Sequence, residues 1–130
     1  MIQTRDLMAI SFVDRGRSIN GADCWGFVMI VMKRFNKTIP DFDICCYDSK
    51  DIHGAKCFAE SKFIFSKEPE AGSIVAMNLD RTAPTFTQHF GVCLDKTKFI
   101  QILEKRGVII TSINDRFFKN IITGYYKWLE

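Results

Sequence analysis

Apolar positions in the first third of the chain recur with the spacing of a helix. The stretch from Trp25 to Phe35 contains no proline, and its only glycine lies near its start. Its apolar residues lie near helical spacing, which predicts a mostly buried helix with Cys24 in the first turn. Polar residues after Phe35, followed by Pro40, end this helix.

The second half of the chain is dominated by short apolar runs of the strand type, separated by turns. These runs are Ser73–Leu79, Gln88–Leu94, Lys98–Leu103, Gly107–Ile113 and Ile121–Leu129. The short turns between them favour antiparallel hairpins. Between Asp41 and Lys67 the pattern is irregular, with one or two short helices expected from Asp48 to Phe63. The fold class predicted is therefore α+β, with the N-terminal helix packed on an antiparallel sheet.

Composition narrows the class of protein. The 130 residues suit one domain spanning positions 1–130, and a hydrophobic share of 47% is ordinary for a globular protein. The net charge of +3 is small and its basic residues are scattered, which argues against a nucleic-acid partner. We find no signal peptide and no segment of membrane-spanning length, so synthesis in the cytoplasm and no membrane partner are expected.

The number and spacing of the cysteines do not match those of a disulfide framework or a zinc site. There are five, an odd number, at positions 24, 45, 46, 57 and 93, and none forms a C-x-x-C pair. We expect reduced thiols, no metal and no cofactor.

Cys24 is the candidate nucleophile. At a helix start, unpaired backbone N–H groups and the positive end of the helix dipole stabilise a thiolate. The alternative is that Cys24 is a small buried apolar residue, and on its position alone the two are about equally favoured. Asp23, immediately before it, is interpreted as a helix cap in preference to an acid or base.

His89 and Gln101 are polar residues within otherwise apolar strand runs. If these two strands form a hairpin, the two side chains come together across it. A cysteine nucleophile needs a base, and the base needs a third group that holds its imidazole in the right tautomer. The alternative for His89 is a structural histidine with a satisfied hydrogen bond, and for Gln101 a residue that faces solvent. The other histidine, His53, is expected at the surface.

Five stretches resemble, in order, motifs of the NlpC/P60 cysteine peptidases. The stretch Ile10–Val28 resembles the nucleophile segment, and Glu70–Val75 the strand entry P-G-D followed by hydrophobic residues. His89-Phe90-Gly91-Val92 is similar to the box H-[VF]-G-[IV]. Lys98–Gln101 falls where the family has its third catalytic residue, commonly His and sometimes Asn or Gln. Gly124–Lys127 resembles the usual ending.

The resemblance implies a papain-like fold and hydrolysis of amide bonds in bacterial peptidoglycan peptides, often next to a D-γ-glutamyl residue. It implies that Cys24 attacks the carbonyl, that His89 acts as base and then acid, and that Gln101 orients His89. The Cys24 backbone N–H is the implied oxyanion donor. Where the family commonly has a tyrosine that helps to bind the oxyanion, this chain has Phe12.

The compact size is similar to that of family members encoded near bacteriophage tail genes, which implies tail proteins as partners and release with a virion or by lysis. Two alternatives stay open. One is a tail assembly or structural protein with the same fold and little activity, and the other is a thiol acyltransferase or protein-processing enzyme.

Overall fold

A computed structural model describes residues 2–41, 62–79 and 89–129, which form one long helix and eight strands. A short 3₁₀ helix, Arg5–Ala9, precedes them, and a second, Phe118–Asn120, precedes the last strand. The helix α1 is Cys24–Arg34. The strands are β1 (Arg17–Ser18), β2 (Gly21–Ala22), β3 (Phe63–Ser66), β4 (Ile74–Met77), β5 (His89–Cys93), β6 (Lys98–Leu103), β7 (Gly107–Ser112) and β8 (Ile122–Trp128).

Six of the strands form one antiparallel sheet with the order β3-β8-β4-β5-β6-β7. The last strand of the chain lies inside this sheet, between β3 and β4. Strands β1 and β2 form a separate antiparallel pair just before α1. The predicted α+β class, with the N-terminal helix packed on an antiparallel sheet, is confirmed.

Helix α1 packs on one face of the sheet because its apolar side chains are spaced to line one side. Phe27, Val28 and Val31 are completely buried there, and each buried side chain of this size contributes about 1.5–3 kcal/mol. The same cluster includes alternate strand residues: Ile74, Ala76, Phe90, Val92, Ile100 and Ile102. The residues between them face a second, smaller cluster on the other side, which includes Val75, Met77, Cys93 and Phe99. Strands β4, β5 and β6 therefore carry buried side chains on both faces of the sheet.

The strands that alternation and turns predict agree with the structure to within two residues at each end. Strands β1, β2 and β3 were not predicted. The first two contain two residues each, which is too short for a period to be visible, and β3 is held by pairing with β8 across a sequence separation of about sixty residues. Most of the helical segment predicted from Asp48 to Phe63 lies outside the described residues, but Phe63 itself begins a strand.

Candidate active site

Cys24 is the first residue of α1, and the preceding residue caps the helix. Asp23 has extended backbone angles, and its carboxylate accepts a hydrogen bond from the Gly26 N–H at 2.9 Å. This is the usual way in which an Asp satisfies one of the unpaired N–H groups of a helix start. The predicted capping role of Asp23 is confirmed.

The carboxylate of Asp23 is completely buried and is paired with an arginine. The Arg17 guanidinium donates to Asp23 Oδ1 at 2.6 Å and to Asp41 Oδ1 at 3.0 Å, and the Arg15 N–H donates to Asp23 Oδ2 at 3.1 Å. Burial opposes the charge of Arg17, but the two carboxylates outweigh it and raise the pKa of the guanidinium. The negative charge beside Cys24 is thus compensated by Arg17, a residue that sequence reasoning treated as one of several scattered charges.

A backbone contact fixes the segment before α1 against the first turn of the helix. A Cβ atom at Gly26 would lie 2.0 Å from the Gly16 carbonyl oxygen, so only a glycine leaves room for this approach. The same oxygen accepts hydrogen bonds from Arg17 Nη1 at 2.9 Å and from the Asp23 N–H at 3.3 Å. The position of Cys24 therefore depends on a glycine two residues further along the helix.

His89 and Gln101 meet in the sheet, as the hairpin of β5 and β6 predicts. His89 Nε2 lies 2.9 Å from Gln101 Oε1, and both residues are buried. The register of Val92 with Ile100, extended along the strands, puts Gly91 opposite Gln101 and His89 one diagonal step away. Because Gly91 has no side chain, nothing at that position separates the imidazole from the amide. The alternative that Gln101 faces solvent is excluded, because it is 0% exposed.

A third buried polar residue continues this hydrogen-bonded chain. Gln101 Nε2 donates to Thr111 Oγ1 at 2.9 Å, from β6 to β7. Thr111 is only 6% exposed. Sequence reasoning missed it, although a signal exists, since Thr111 is the only polar residue between Val108 and Ser112.

Burial lowers the pKa of His89 from 6.5 to about 4, and the hydrogen bond to Gln101 only partly opposes this effect. The charged imidazolium loses its hydration in the buried site, so the neutral ring is favoured. At neutral pH His89 is therefore in the form that can accept a proton, as a general base must be.

This pKa predicts that the protein loses stability on acidification. The unfolded state binds a proton at His89 below pH 6.5, whereas the folded state does so only near pH 4, so stability is present above pH 6.5 and falls between these values. Urea unfolding at pH 7 and pH 4.5 should show an extra loss of about 2–3 kcal/mol in the wild type relative to His89→Gln. An equal loss in both proteins would contradict a buried neutral His89.

Helix α1 contacts strand β5 at Trp25 and Phe90, the residues that follow Cys24 and His89 in the sequence. The Trp25 ring packs edge-on against Phe90 with 5.1 Å between ring centroids, and the Trp25 indole N–H donates to the Pro40 carbonyl at 3.0 Å. Cys24 is 1% exposed and His89 5%. His89 is the first residue of β5, and strand alternation gives it the sheet face opposite to that of Phe90.

The other described cysteine lies in a different environment. Cys93, at the end of β5, is completely buried, and burial with a smaller effect of Asp95 raises its thiol pKa to about 12. It is therefore an inert thiol and a natural internal control for Cys24. Cys45, Cys46, Cys57 and His53 lie outside the described residues.

Phe12, where a tyrosine is common in the family that the sequence resembles, lies next to the segment before α1. It forms a parallel bridge with Ala22 and packs against the core cluster that contains α1. Its phenyl ring carries no hydroxyl, so its side chain offers no hydrogen-bond donor to an oxyanion.

Within the described ranges, no three His, Cys, Asp or Glu side chains come together as a metal would require. In the same ranges no helix has the length and apolar character needed to cross a bilayer.

Comparison with known proteins gives one family and one fold. The model of the NlpC/P60 family matches residues 11–127. Among solved structures, the chain is similar to a protein from Staphylococcus aureus subsp. aureus Mu50, described as similar to a lipoprotein of the NLP/P60 family. The TM-score is 0.64 at 15% sequence identity, over 92% of this chain and 37% of the other, so this chain spans little more than a third of that protein.

No curated protein sequence matches this chain. The similarity to the staphylococcal structure, at its low identity, shows the fold alone. The family match covers nearly the whole sequence, from the segment before β1 to the next-to-last residue of β8. The chain belongs to the NlpC/P60 family.

Proposed function

We propose that this protein is a cysteine peptidase that hydrolyses amide bonds in the stem peptides of bacterial peptidoglycan, with the specificity of a D-γ-glutamyl endopeptidase. The family consists in general of cysteine peptidases and amidases of the cell-wall type. The observation that carries the proposal is the buried His89–Gln101 hydrogen bond, in a chain whose candidate nucleophile begins a capped helix. A base held in one orientation is what a thiol nucleophile requires.

The hydrogen bonds of Gln101 support Nδ1 of His89 as the basic atom in this proposal. With the amide nitrogen donating to Thr111, Oε1 accepts from the His89 Nε2–H, so Nδ1 carries the lone pair. Nδ1 is then the atom that takes the thiol proton of Cys24. Gln101 keeps the imidazole in this tautomer and supports the positive charge that develops on it.

The reaction proceeds in two steps. The Cys24 sulfur attacks the amide carbonyl while its proton passes to His89, and the negative oxygen of the tetrahedral intermediate accepts a hydrogen bond from the Cys24 backbone N–H. Collapse of the intermediate breaks the C–N bond, and the proton moves from His89 to the leaving amine. Water, deprotonated by His89, then hydrolyses the thioester and restores the thiol.

Phe12 lowers the activity expected of this site. Removing one oxyanion donor costs about 2.7–4 kcal/mol of transition-state stabilisation where it has been measured. With Phe12 in the tyrosine position, the backbone N–H of Cys24 is the principal proposed donor. We therefore propose a slower enzyme than one that has the tyrosine, and not an inactive one.

Release of new amino groups from purified peptidoglycan tests this function. The wild-type protein should release amines, and mass spectrometry of the soluble products should show cleavage next to D-γ-glutamyl residues. Release at another bond would refute the specificity alone. No release would favour the structural alternative, and transfer of the acyl group to an added amine in preference to water would favour the acyltransferase.

A place in a bacteriophage tail, with tail proteins as partners, stays a prediction. Tail association would bring the enzyme to the wall with the particle or after lysis. Purified phage particles from a host that encodes this protein should contain it, and its absence from them would refute this part of the proposal.

A further inference from the structure

Thr111 is the outermost member of the buried hydrogen-bonded chain that starts at His89. The paired residues of β6 and β7 put Thr111 opposite Phe99 and Ile109 opposite Gln101, so the bond from Gln101 to Thr111 runs diagonally across the two strands. All three members are buried, with exposed fractions of 5% for His89, 0% for Gln101 and 6% for Thr111. The polar atoms of these three side chains therefore depend on neighbouring protein groups for their hydrogen bonds.

An amide side chain has two orientations of nearly the same shape. In one, Gln101 Oε1 faces His89 and accepts from Nε2–H, which leaves Nδ1 as the basic atom. In the other, the Gln101 NH₂ group faces His89 and donates to Nε2, which moves the ring proton to Nδ1. Only the first orientation gives His89 its lone pair at Nδ1, so the direction of the Gln101 amide decides whether that atom can act as a base.

We propose that Thr111 is a positioning residue, whose hydroxyl oxygen accepts a hydrogen bond from the Gln101 amide and so holds His89 in the tautomer with Nδ1 unprotonated. Its distance to Gln101 Nε2, 2.9 Å, equals that between His89 and Gln101. Without the hydroxyl, the productive orientation leaves the buried Gln101 NH₂ group unpaired, whereas the reverse orientation leaves only the carbonyl oxygen unpaired. An unpaired buried N–H is the less tolerated of the two, so loss of the hydroxyl favours the reverse orientation. This inference rests on the proposed function, because it assigns Thr111 a part in preparing the same base.

The test compares Thr111→Val, which keeps the shape of the side chain, with Thr111→Ser, which keeps the hydroxyl. Thr111→Val should lower kcat by about five- to tenfold with little change in KM, the loss of roughly one neutral hydrogen bond. Thr111→Ser should restore most of the rate. Rates are measured at matched concentrations of folded protein, determined by circular dichroism.

The matched control is Thr123→Val. The Thr123 hydroxyl donates to the Ala76 carbonyl at 3.2 Å, and Thr123 lies on β8, which β4 separates from the strand of His89. The same chemical change there should leave kcat unaltered. The second readout is the ¹⁵N spectrum of the His89 ring, which should report the Nε2–H tautomer in the wild type and in Thr111→Ser, and an increased share of Nδ1–H in Thr111→Val.

The two readouts separate this inference from the function on which it rests. An unchanged His89 tautomer in Thr111→Val overturns the role of Thr111, even if kcat falls, as does a fall in kcat that Thr123→Val reproduces. If the wild type cleaves no amide, the proposed function fails. The ring spectrum then still decides whether Thr111 sets the tautomer.

Discussion

Cys24→Ala should abolish amide cleavage and leave the fold almost as stable as before. Without the sulfur no covalent intermediate forms, and loss of a catalytic nucleophile reduces kcat by roughly 10⁴-fold or more. The structural cost is small because alanine is the best helix former and Cys24 is the first residue of α1. Loss of one buried sulfur, at a site 1% exposed, costs about 1–2 kcal/mol. The measurement is the cleavage rate on muropeptides at matched folded concentration.

His89→Ala is the comparison that tests whether the two residues act as a unit. It should cause a loss of similar size, and the double variant Cys24→Ala/His89→Ala should be no slower than either single variant, because neither residue works without the other. Losses that multiply in the double variant would show that Cys24 and His89 act independently. Equal rates in the wild type and all three variants would mean that cleavage does not use this pair at all.

Gly26→Ala should destabilise the protein and disable the site, although α1 alone would gain from it. Replacing a helical glycine with alanine is favourable by about 1 kcal/mol when nothing is in the way. Here the new Cβ would lie 2.0 Å from the Gly16 carbonyl oxygen, which is backbone and has no rotamer that could move it aside. Separating the two segments costs about 1–3 kcal/mol of strain, together with the hydrogen bonds that Arg17 and Asp23 donate to that oxygen.

The net effect expected for Gly26→Ala is a loss of about 2–4 kcal/mol in the free energy of unfolding, with a fall in kcat because Cys24 is displaced. Gly107→Ala is the control. A Cβ at Gly107 meets no atom of the described residues within 4 Å, and its φ of +71° is unfavourable, at a cost of about 1–2 kcal/mol without an effect on kcat. Urea unfolding and muropeptide cleavage measure both variants. A Gly26→Ala protein as stable as the wild type would contradict the close approach of the two segments.

The parts of the fold that the sequence predicts are those that depend on local spacing. For helix α1, the apolar face, the cap at Asp23 and the end before Pro40 all follow from residues that are close together in the sequence. Strands β5, β6 and β7 are separated by short turns, so their pairing follows from their order. Strand β3 is different, because Phe63–Ser66 pairs with β8, about sixty residues later in the sequence. No local sequence pattern predicts that pairing.

The candidate site likewise has residues that the local sequence predicts and residues that only the fold brings together. His89 and Gln101 are visible as polar residues in apolar strands, and a hairpin brings them together. Thr111 lies on the next strand, and only the register and the sheet face make its hydroxyl a partner of Gln101. The pairing of Arg17 with buried Asp23 depends on how the segment before α1 folds back on the helix start, which the charged turn in the sequence does not reveal.

Burial alone would protect Cys24 and Cys93 equally from alkylation by iodoacetamide, since they are 1% and 0% exposed. An activated thiol at the start of α1 predicts instead that iodoacetamide modifies Cys24 first, while Cys93, with a thiol pKa of about 12, stays unmodified. The measurement that tests the central claim is a titration with iodoacetamide, in which mass spectrometry gives the modified fraction of each cysteine and amine release from peptidoglycan gives the remaining rate. The rate should fall in proportion to unmodified Cys24. Full modification of Cys24 with the rate retained, or equal modification of Cys24 and Cys93, would contradict a Cys24 nucleophile.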